Sequence, residues 1–345
     1  MHNDQKPKIL VILTGGTICS STDEKGQRYS NAENVKIIGH YQNSDSPFSG
    51  KVDFDKEIPL DTLSENMTVD KWNTLLEALK TVKCDDYRGI IILHGTDTLA
   101  YTASLLAITL TGISVPVCLV SSQLPLDHSA TNGHANFRAC VELIMNGIAP
   151  NVYAVYRNAD HVIYAHLGAQ LLQSANYSDD FFSKDMQPVS AENAHWEGFA
   201  FRTNRLYLQK MGKLTPCVLK IAPYVGMDYD AFALAGVRAI VHGTYHSQSV
   251  CVERSKGAGD YGSGSILHLL DRCKERNIPV FLAPCSPEAA KYESTGDAIA
   301  QGAYHIYGAT NEMAYIKALV GCALGLEGSG LEKFVKENIN NEFIY

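Results

Sequence analysis

Two apolar runs in this sequence end abruptly in glycine and hydroxyl residues, and that abruptness limits the folds open to it. Lys8–Leu13 reads KILVIL and stops at Thr14-Gly15-Gly16-Thr17. Gly89–Leu93 reads GIIIL and stops at His94-Gly95-Thr96-Asp97. Neither run alternates with polar residues. Each therefore reads as a strand buried on both faces, as in a parallel sheet covered by helices. A third strand, 115–120, leads into Ser121-Ser122-Gln123. Ligands bind beyond the carboxyl ends of such strands, which singles out these three segments.

The rest of the chain continues the alternation. Thr68 can cap a helix over 69–82 that places Trp72, Leu75, Leu76 and Leu79 on one face. Helices are expected over 99–110 and 136–144, and a strand over 152–155. Residues 15–60 are polar, with Gly26, Gly39 and Gly50, and read as a long irregular connection of the kind that forms lids. A polar, poorly periodic stretch at 183–216 precedes a second series. Its strands are 218–222, Ala239–His242 and 279–283, and its helices lie near 264–276, 312–324 and 331–338. The class is α/β with a mainly parallel sheet. At roughly 150 residues per domain, 345 residues make about two. The expected organisation is a larger α/β domain over 1–200, a linker over 201–216 and a smaller α/β domain over 217–345.

Composition excludes several roles. A net charge of −8 disfavours nucleic-acid binding, which wants a basic surface. The most apolar stretch, 105–120, is broken by Gly112 and Pro116, short of the ~20 unbroken apolar residues of a membrane span. The opening MHNDQKPK has no apolar core of a signal peptide, so a cytoplasmic location is expected. Nine cysteines are scattered without a CxxC, as reduced core thiols are. His242 and His246 stand four apart, but on strand and loop rather than helix, and read as structural. Cys285 lacks an apparent basic partner. Residues 292–296 read as a surface turn, and the glycine-rich 257–264 as a flexible connection.

Each strand-end segment has a plain reading and a chemical one. Thr14-Gly15-Gly16-Thr17 is a turn, or a cradle in which backbone N–H groups approach a ligand and a hydroxyl waits beside it. It matches neither the phosphate loop nor the dinucleotide fingerprint. Asp97 and Thr98 either cap the following helix or present a carboxylate to a substrate ammonium, with the Thr96 hydroxyl adjacent.

Read together, these residues resemble the paired signatures of the bacterial-type L-asparaginase family, TGGTI and then HGTDTLAYTA. Three further segments are similar to that family's: Ser64-Glu65-Asn66-Met67 with Thr68 and Trp72, Ser122-Gln123-Leu124-Pro125, and Asn132-Gly133 with Asn136. The resemblance implies a Rossmann- or flavodoxin-like larger domain and a smaller C-terminal α/β domain. It implies an amidohydrolase acting on L-asparagine without metal or cofactor, in a homodimer or homotetramer. It casts Thr17 as the nucleophile, with Tyr29 beside it on a mobile loop, and Thr96 and Asp97 across the substrate. Asp97 and Glu65 would hold the α-ammonium, Ser64 the α-carboxylate, and Gln123 would line the pocket. Amide hydrolysis needs an activated hydroxyl, oxyanion donors and a proton for the leaving ammonia. Backbone N–H groups near Gly16 or Gly95 suit the oxyanion. Asparagine and glutamine differ by one methylene, worth ~1–3 kcal/mol in a pocket, so their ratio is not legible.

One departure stands out. The family completes its threonine–aspartate pair with a lysine. Here that position falls on Gln173, or on Leu172 if the gap is shifted, and no lysine occurs between Lys83 and Lys184. Glutamine donates a hydrogen bond but brings no charge. Three outcomes follow: Lys184 or Arg157 reaches the site, the reaction is slow or takes another amide, or the protein binds an amino acid in a regulatory role without turnover. The amidase subunit of a glutamyl-tRNA amidotransferase, which shares both signatures, is a further alternative. Around 243–248, where the family often supplies an Asn from a neighbouring subunit, this chain has Gly-Thr-Tyr-His-Ser-Gln.

Overall fold

The computed structural model describes residues 6–189, 207–253 and 261–344. Residues 201–206 of the expected linker and 257–260 of the glycine-rich stretch lie outside them. The chain divides into two compact units, Met1–Lys210 and Met211–Tyr345.

The first unit carries, in order, β1 (Lys8–Leu13), a hairpin of β2 (Ser20–Thr22) and β3 (Arg28–Ser30), α1 (Ile37–Gln42), β4 (Asp53–Glu57), α2 (Val69–Thr81), β5 (Gly89–Leu93), α3 (Leu99–Thr109), β6 (Val117–Val120), α4 (Gly133–Met145), β7 (Val152–Arg157), β8 (Ile163–Leu167) and β9 (Gln187–Pro188). Seven of its strands form one sheet in the order β4-β1-β5-β6-β7-β8-β9. The first five run parallel, while β8 and β9 add antiparallel at the far edge. β1, β5 and β6 are the apolar runs read from the sequence, and β5 and β6 are buried throughout. The chain leaves β1 toward β4 and then returns to β5 on its other side. The order reverses between β1 and β5, and in such sheets the crevice for a ligand opens at that reversal. The carboxyl ends there are Leu13 and Leu93.

The helices follow their sequence patterns. Thr68 Oγ1 accepts from Lys71 N to cap α2, which buries Trp72, Leu75, Leu76 and Leu79. α3 is buried nearly all round, as its lack of a polar face requires. Neither Thr98 nor Asp97 caps it: Thr98 is the N-cap residue but makes no capping bond. The 15–60 segment corrects the sequence reading. It is not irregular throughout but holds the β2–β3 hairpin, α1 and the edge strand β4. β4 reads DFDKE and is half exposed. An edge strand pairs on one side only and carries charge, so it shows no apolar signature.

The second unit carries β10 (Val218–Ile221), β11 (Ala239–His242), α5 (Ile266–Lys274), β12 (Val280–Cys285), α6 (Glu293–Ala300), β13 (Tyr304–Tyr307), α7 (Asn311–Ala323) and α8 (Gly328–Lys336). Its four strands lie in chain order and all parallel. The turn expected at 292–296 is instead the start of α6, because Thr295 and Ala298 are buried. Among the described residues no helix is long and apolar enough to cross a membrane. All nine cysteines are free thiols.

A buried ion pair fastens the C-terminal segment to α7. Lys317 Nζ lies 2.6 Å from Glu342 Oε1, and both side chains are fully buried. Glu342 also accepts from Ile339 N and Asn340 N. Removing one partner strands the other charge in a dry interior, which costs ~3–5 kcal/mol. Glu342→Gln is therefore expected to destabilise the second unit by that amount, read from its urea midpoint. A midpoint unchanged in Glu342→Gln would contradict the pair's burial.

Candidate functional site

Glycine lets three chain segments meet at the β1/β5 reversal. Thr14 N and Oγ1 both donate to Leu93 O, at 3.1 and 2.8 Å, and tie the two strand ends together. Gly16 N then donates to Thr62 O at 2.8 Å. Gly16 has φ 77° and ψ −177°, open to glycine but strained for other residues. A Cβ on it would fall 2.3 Å from Gly95 Cα, and a Cβ on Gly95 would fall 2.4 Å from Ser64 Oγ. Backbone therefore touches backbone, and Thr17 and Thr96 are the residues that leave this contact.

The Thr96–Asp97 segment is held on several sides. Ser64 Oγ donates to Asp97 Oδ2 at 2.8 Å and accepts from Asp97 N at 3.2 Å. Thr98 Oγ1 donates to Ser64 O at 3.0 Å. The Asp97 carboxylate is thus aimed by Ser64 rather than engaged with the helix. Gln173 Nε2 donates to Asp97 O at 2.9 Å and Thr96 O at 3.4 Å. Its Oε1 is buried without a partner among the described residues. Leu172 is 45% exposed, so Gln173, not Leu172, faces this segment. Arg157 turns to Thr131 O, and Lys184 does not line the cleft described next.

A cleft of about 320 Å³ opens beside the segment. Its lining includes Thr96, Asp97, Gln123, Tyr156, Gln173 and Asp179. No Lys, Arg or His is among its described lining residues. Gln123 is held there because Asn132 Oδ1 accepts from Gln123 N, while Asn132 Nδ2 donates to Arg157 O.

The other sequence candidates sit differently. Thr17 opens a short 3-10 turn, Thr17–Cys19, and its carbonyl accepts from Ser20 Oγ. Tyr29 is on β3, which pairs with the strand just after that turn, and is 48% exposed. Glu65 is exposed in the Ser64–Asn66 turn. Thr17, Tyr29, Ser64 and Glu65 are not cleft-lining residues. Cys19 is buried, and burial pushes its thiol up to about 12, which leaves it a neutral core group. His242 is buried and bonded to Tyr229, and no metal-capable cluster is found among the described residues.

Beneath the segment lies a network that sequence reading missed. Trp72 Nε1 bonds Thr102 Oγ1 at 3.0 Å, Thr102 Oγ1 lies 2.9 Å from His94 Nε2, and His94 Nδ1 lies 2.8 Å from Gly95 O. Burial pushes the His94 ring down to about 4 and that of His166 to about 3. Thr102 alone does not mark the network, because α3 also buries Ser104 and Thr109.

Comparison with known proteins gives a consistent result. A family model described as Asparaginase, N-terminal, matches residues 8–199. The chain is 31% identical over 183 residues to the L-asparaginase of Thermococcus kodakarensis, over 51% of this chain and 54% of that one. It is 29% identical over 242 residues to one of the subunits of the glutamyl-tRNA(Gln) amidotransferase of Saccharolobus solfataricus, over 67% of this chain and 53% of that one. It thus spans about half the length of the curated relatives it matches. The solved thermostable L-asparaginase from Thermococcus kodakarensis superposes with a TM-score of 0.73 at 21% identity, over 98% of this chain and 99% of that one. L-asparaginase I from Vibrio cholerae does so at 0.71 and 20%, over 99% and 100%. At these identities the two structures share the fold.

The buried histidines make the first unit acid-sensitive. Unfolded, a histidine titrates near 6.5; folded, His94 and His166 do so near 4 and 3. As pH falls the unfolded chain binds protons first. Stability from these rings is complete above ~6.5 and declines toward 4, by about 1.4 kcal/mol per pH unit and histidine. Urea midpoints at pH 7, 5.5 and 4.5 are expected to fall in that order. A flat series would contradict the neutral, buried rings.

Proposed function

The chain belongs to the asparaginase family, and from that premise we propose that it hydrolyses the side-chain amide of a small amino acid, L-asparagine first, with Thr17 as nucleophile. The observation that carries this reading is the backbone contact of Gly16 with Gly95 at the strand-order reversal. It brings the chain segments that carry Thr17 and Thr96 together, and in this reading their hydroxyls and the Asp97 carboxylate act on one bound amino acid. Among the described residues neither Thr17 Oγ1 nor Thr96 Oγ1 has a hydrogen-bond partner, so both hydroxyls are available.

In this reading Thr17 Oγ attacks the amide carbon, and the carbonyl oxygen becomes an oxyanion facing the N–H groups beside Gly16 and Gly95. The proton that Thr17 Oγ gives up passes through the Tyr29 oxygen to the amide nitrogen, and the carbon–nitrogen bond breaks as that nitrogen leaves as ammonia. Water then hydrolyses the threonine ester and restores the hydroxyl. Asp97 holds the α-ammonium, with Ser64 fixing its direction, and Glu65 adds negative potential nearby. Gln123 lines the pocket. A threonine hydroxyl is weak at its ordinary pKa and needs an acceptor. Tyr29 serves only when the β2–β3 hairpin brings it over Thr17, which also excludes water.

Gln173 sets the expected rate. A cation about 4 Å from developing negative charge is worth ~4 kcal/mol at an effective dielectric of 20, or about three powers of ten in rate. A neutral amide supplies little of this. The same feature supports a second reading, an amino-acid-binding protein with little turnover. The likeness to an amidotransferase component supports a third, delivery of ammonia to a partner.

Ammonia release from L-asparagine, L-glutamine and related amides by the purified protein tests the proposal. Activity is expected to be slow, to fall at least ~10³-fold in Thr17→Ala and Thr96→Val, and to rise in Gln173→Lys. Equal rates in the parent and both threonine variants would end the nucleophile assignment. Tight aspartate binding with no release over hours would instead favour the binding protein.

A further inference from the structure

We propose that Trp72, Thr102 and His94 form a proton-ordered relay that fixes the Gly95–Thr96 peptide and turns the Thr96 N–H outward as an oxyanion donor. They are positioning residues, and the inference rests on the reading of this segment given under Proposed function.

Donor arithmetic sets the direction of every proton. An indole N–H can only donate, so Trp72 Nε1 gives its proton to Thr102 Oγ1 at 3.0 Å. The threonine hydroxyl has one proton left to place, and its neighbour at 2.9 Å is His94 Nε2. Nε2 must then be bare, which puts the ring proton on Nδ1. From there it is donated to Gly95 O at 2.8 Å. Thr102 and His94 are fully buried and Trp72 is 6% exposed, so water does not compete. Burial also keeps the ring neutral at ordinary pH. One tautomer satisfies all three groups.

The consequence lies at the peptide. The only cis bond in the described backbone is Ala283–Pro284, so Gly95–Thr96 is trans. In a trans peptide the carbonyl and the N–H point in opposite directions. Drawing Gly95 O down to His94 turns the Thr96 N–H away from the core. That N–H has no partner among the described residues. The Asp97 side is pinned separately by Ser64 and Gln173. The relay is thus the part that decides which way the Thr96 N–H faces.

The second unit repeats the local device. β11 closes on His242 and runs into Gly243-Thr244, as β5 runs into His94-Gly95-Thr96. His242 Nε2 lies 2.7 Å from Tyr229 Oη, and His242 Nδ1 lies 2.5 Å from Gly243 O. A hydroxyl again orders a buried imidazole onto the following glycine carbonyl. There, however, the Thr244 hydroxyl is already donated to Pro284 O at 2.8 Å. The Thr96 hydroxyl is not so engaged.

Thr102→Val keeps the shape and removes the hydroxyl, Thr102→Ser restores it, and Trp72→Phe removes the first donor. The intact protein and each variant are assayed for kcat and KM, and the His94 tautomer is read at pH 7 by 15N-resolved NMR. The parent ring is expected to carry its proton on Nδ1. Thr102→Val is expected to lose about tenfold or more in kcat, toward the ~10²–10³ that loss of an oxyanion donor costs, with KM within about twofold. Thr102→Ser recovers most of that rate, and Trp72→Phe falls between. A parent ring protonated on Nε2, unchanged kcat in Thr102→Val, or a loss that Thr102→Ser does not rescue would overturn the relay. Should the parent release no ammonia from any amide, the proposed activity fails and the tautomer alone decides. Nδ1 protonation that is lost in Thr102→Val then upholds the relay, and Nε2 protonation overturns it.

Discussion

The absence of side chains at Gly16 and Gly95 lets the ends of β1 and β5 touch backbone to backbone. A single methyl at either position would overlap the opposing chain or Ser64. Everything proposed for the site depends on that closeness. A sheet ordered β4-β1-β5 brings the two strand ends side by side, but ordinary side chains would hold the following loops apart. Glycine at both removes the spacer, and the two threonines inherit the proximity. The positive φ of Gly16 is the local conformation that bends the chain back toward Thr62.

The two sides of that contact differ in how firmly they are held. On the β5 side, Gly95 O bonds His94, Asp97 N bonds Ser64, and Asp97 O bonds Gln173. The His94–Gly95 O bond is buried and resists rotation, because breaking it strands both partners in a low-dielectric interior, while the part-buried and exposed bonds at Asp97 hold the segment from the solvent side. On the β1 side, Thr17 leads into a hairpin whose Tyr29 is half exposed. Its root is anchored, since Asn31 N bonds Cys19 O and Asp61 accepts from Ala32 N. In the proposed reaction, charge recognition falls to the firmly held β5 side, and water exclusion to the β1 side with its exposed aromatic ring.

Legibility followed the chemistry of burial. β1, β5 and β6 were readable because strands buried on both faces must be apolar without interruption. α2 was readable because Thr68 caps it and its apolar residues recur at helical spacing. β4 was not, since an edge strand written DFDKE satisfies its exposed side with charge. The start of α6, within 292–296, reads as a turn because the buried residues of this helix, Thr295 and Ala298, are small and weakly hydrophobic. At the site, the glycine and threonine segments stood out, as did the uncharged residue facing them. The choice between Gln173 and Leu172 needed three dimensions, because either placement of the gap leaves the same anchors. The relay beneath Gly95 was invisible for another reason: Trp72 and Thr102 belong to separate helices, and each looks like ordinary core.

Glutamine at 173 holds the loop in place while changing the charge the cleft presents. Its amide nitrogen bonds the carbonyls of Thr96 and Asp97, so an ammonium is not required to fix the segment. Its buried oxygen, however, adds an acceptor where a lysine would add only donors. With Asp97 and Asp179 beside it and no basic side chain among the described lining residues, the cleft favours a positive ligand group. An amino acid's ammonium is drawn to such a field. In the proposed reaction the negative charge that forms on attack is opposed by that field and must be met by backbone N–H dipoles. The charge pattern that favours capture thus works against the chemical step, and the orientation of one peptide carries correspondingly more of the proposed reaction.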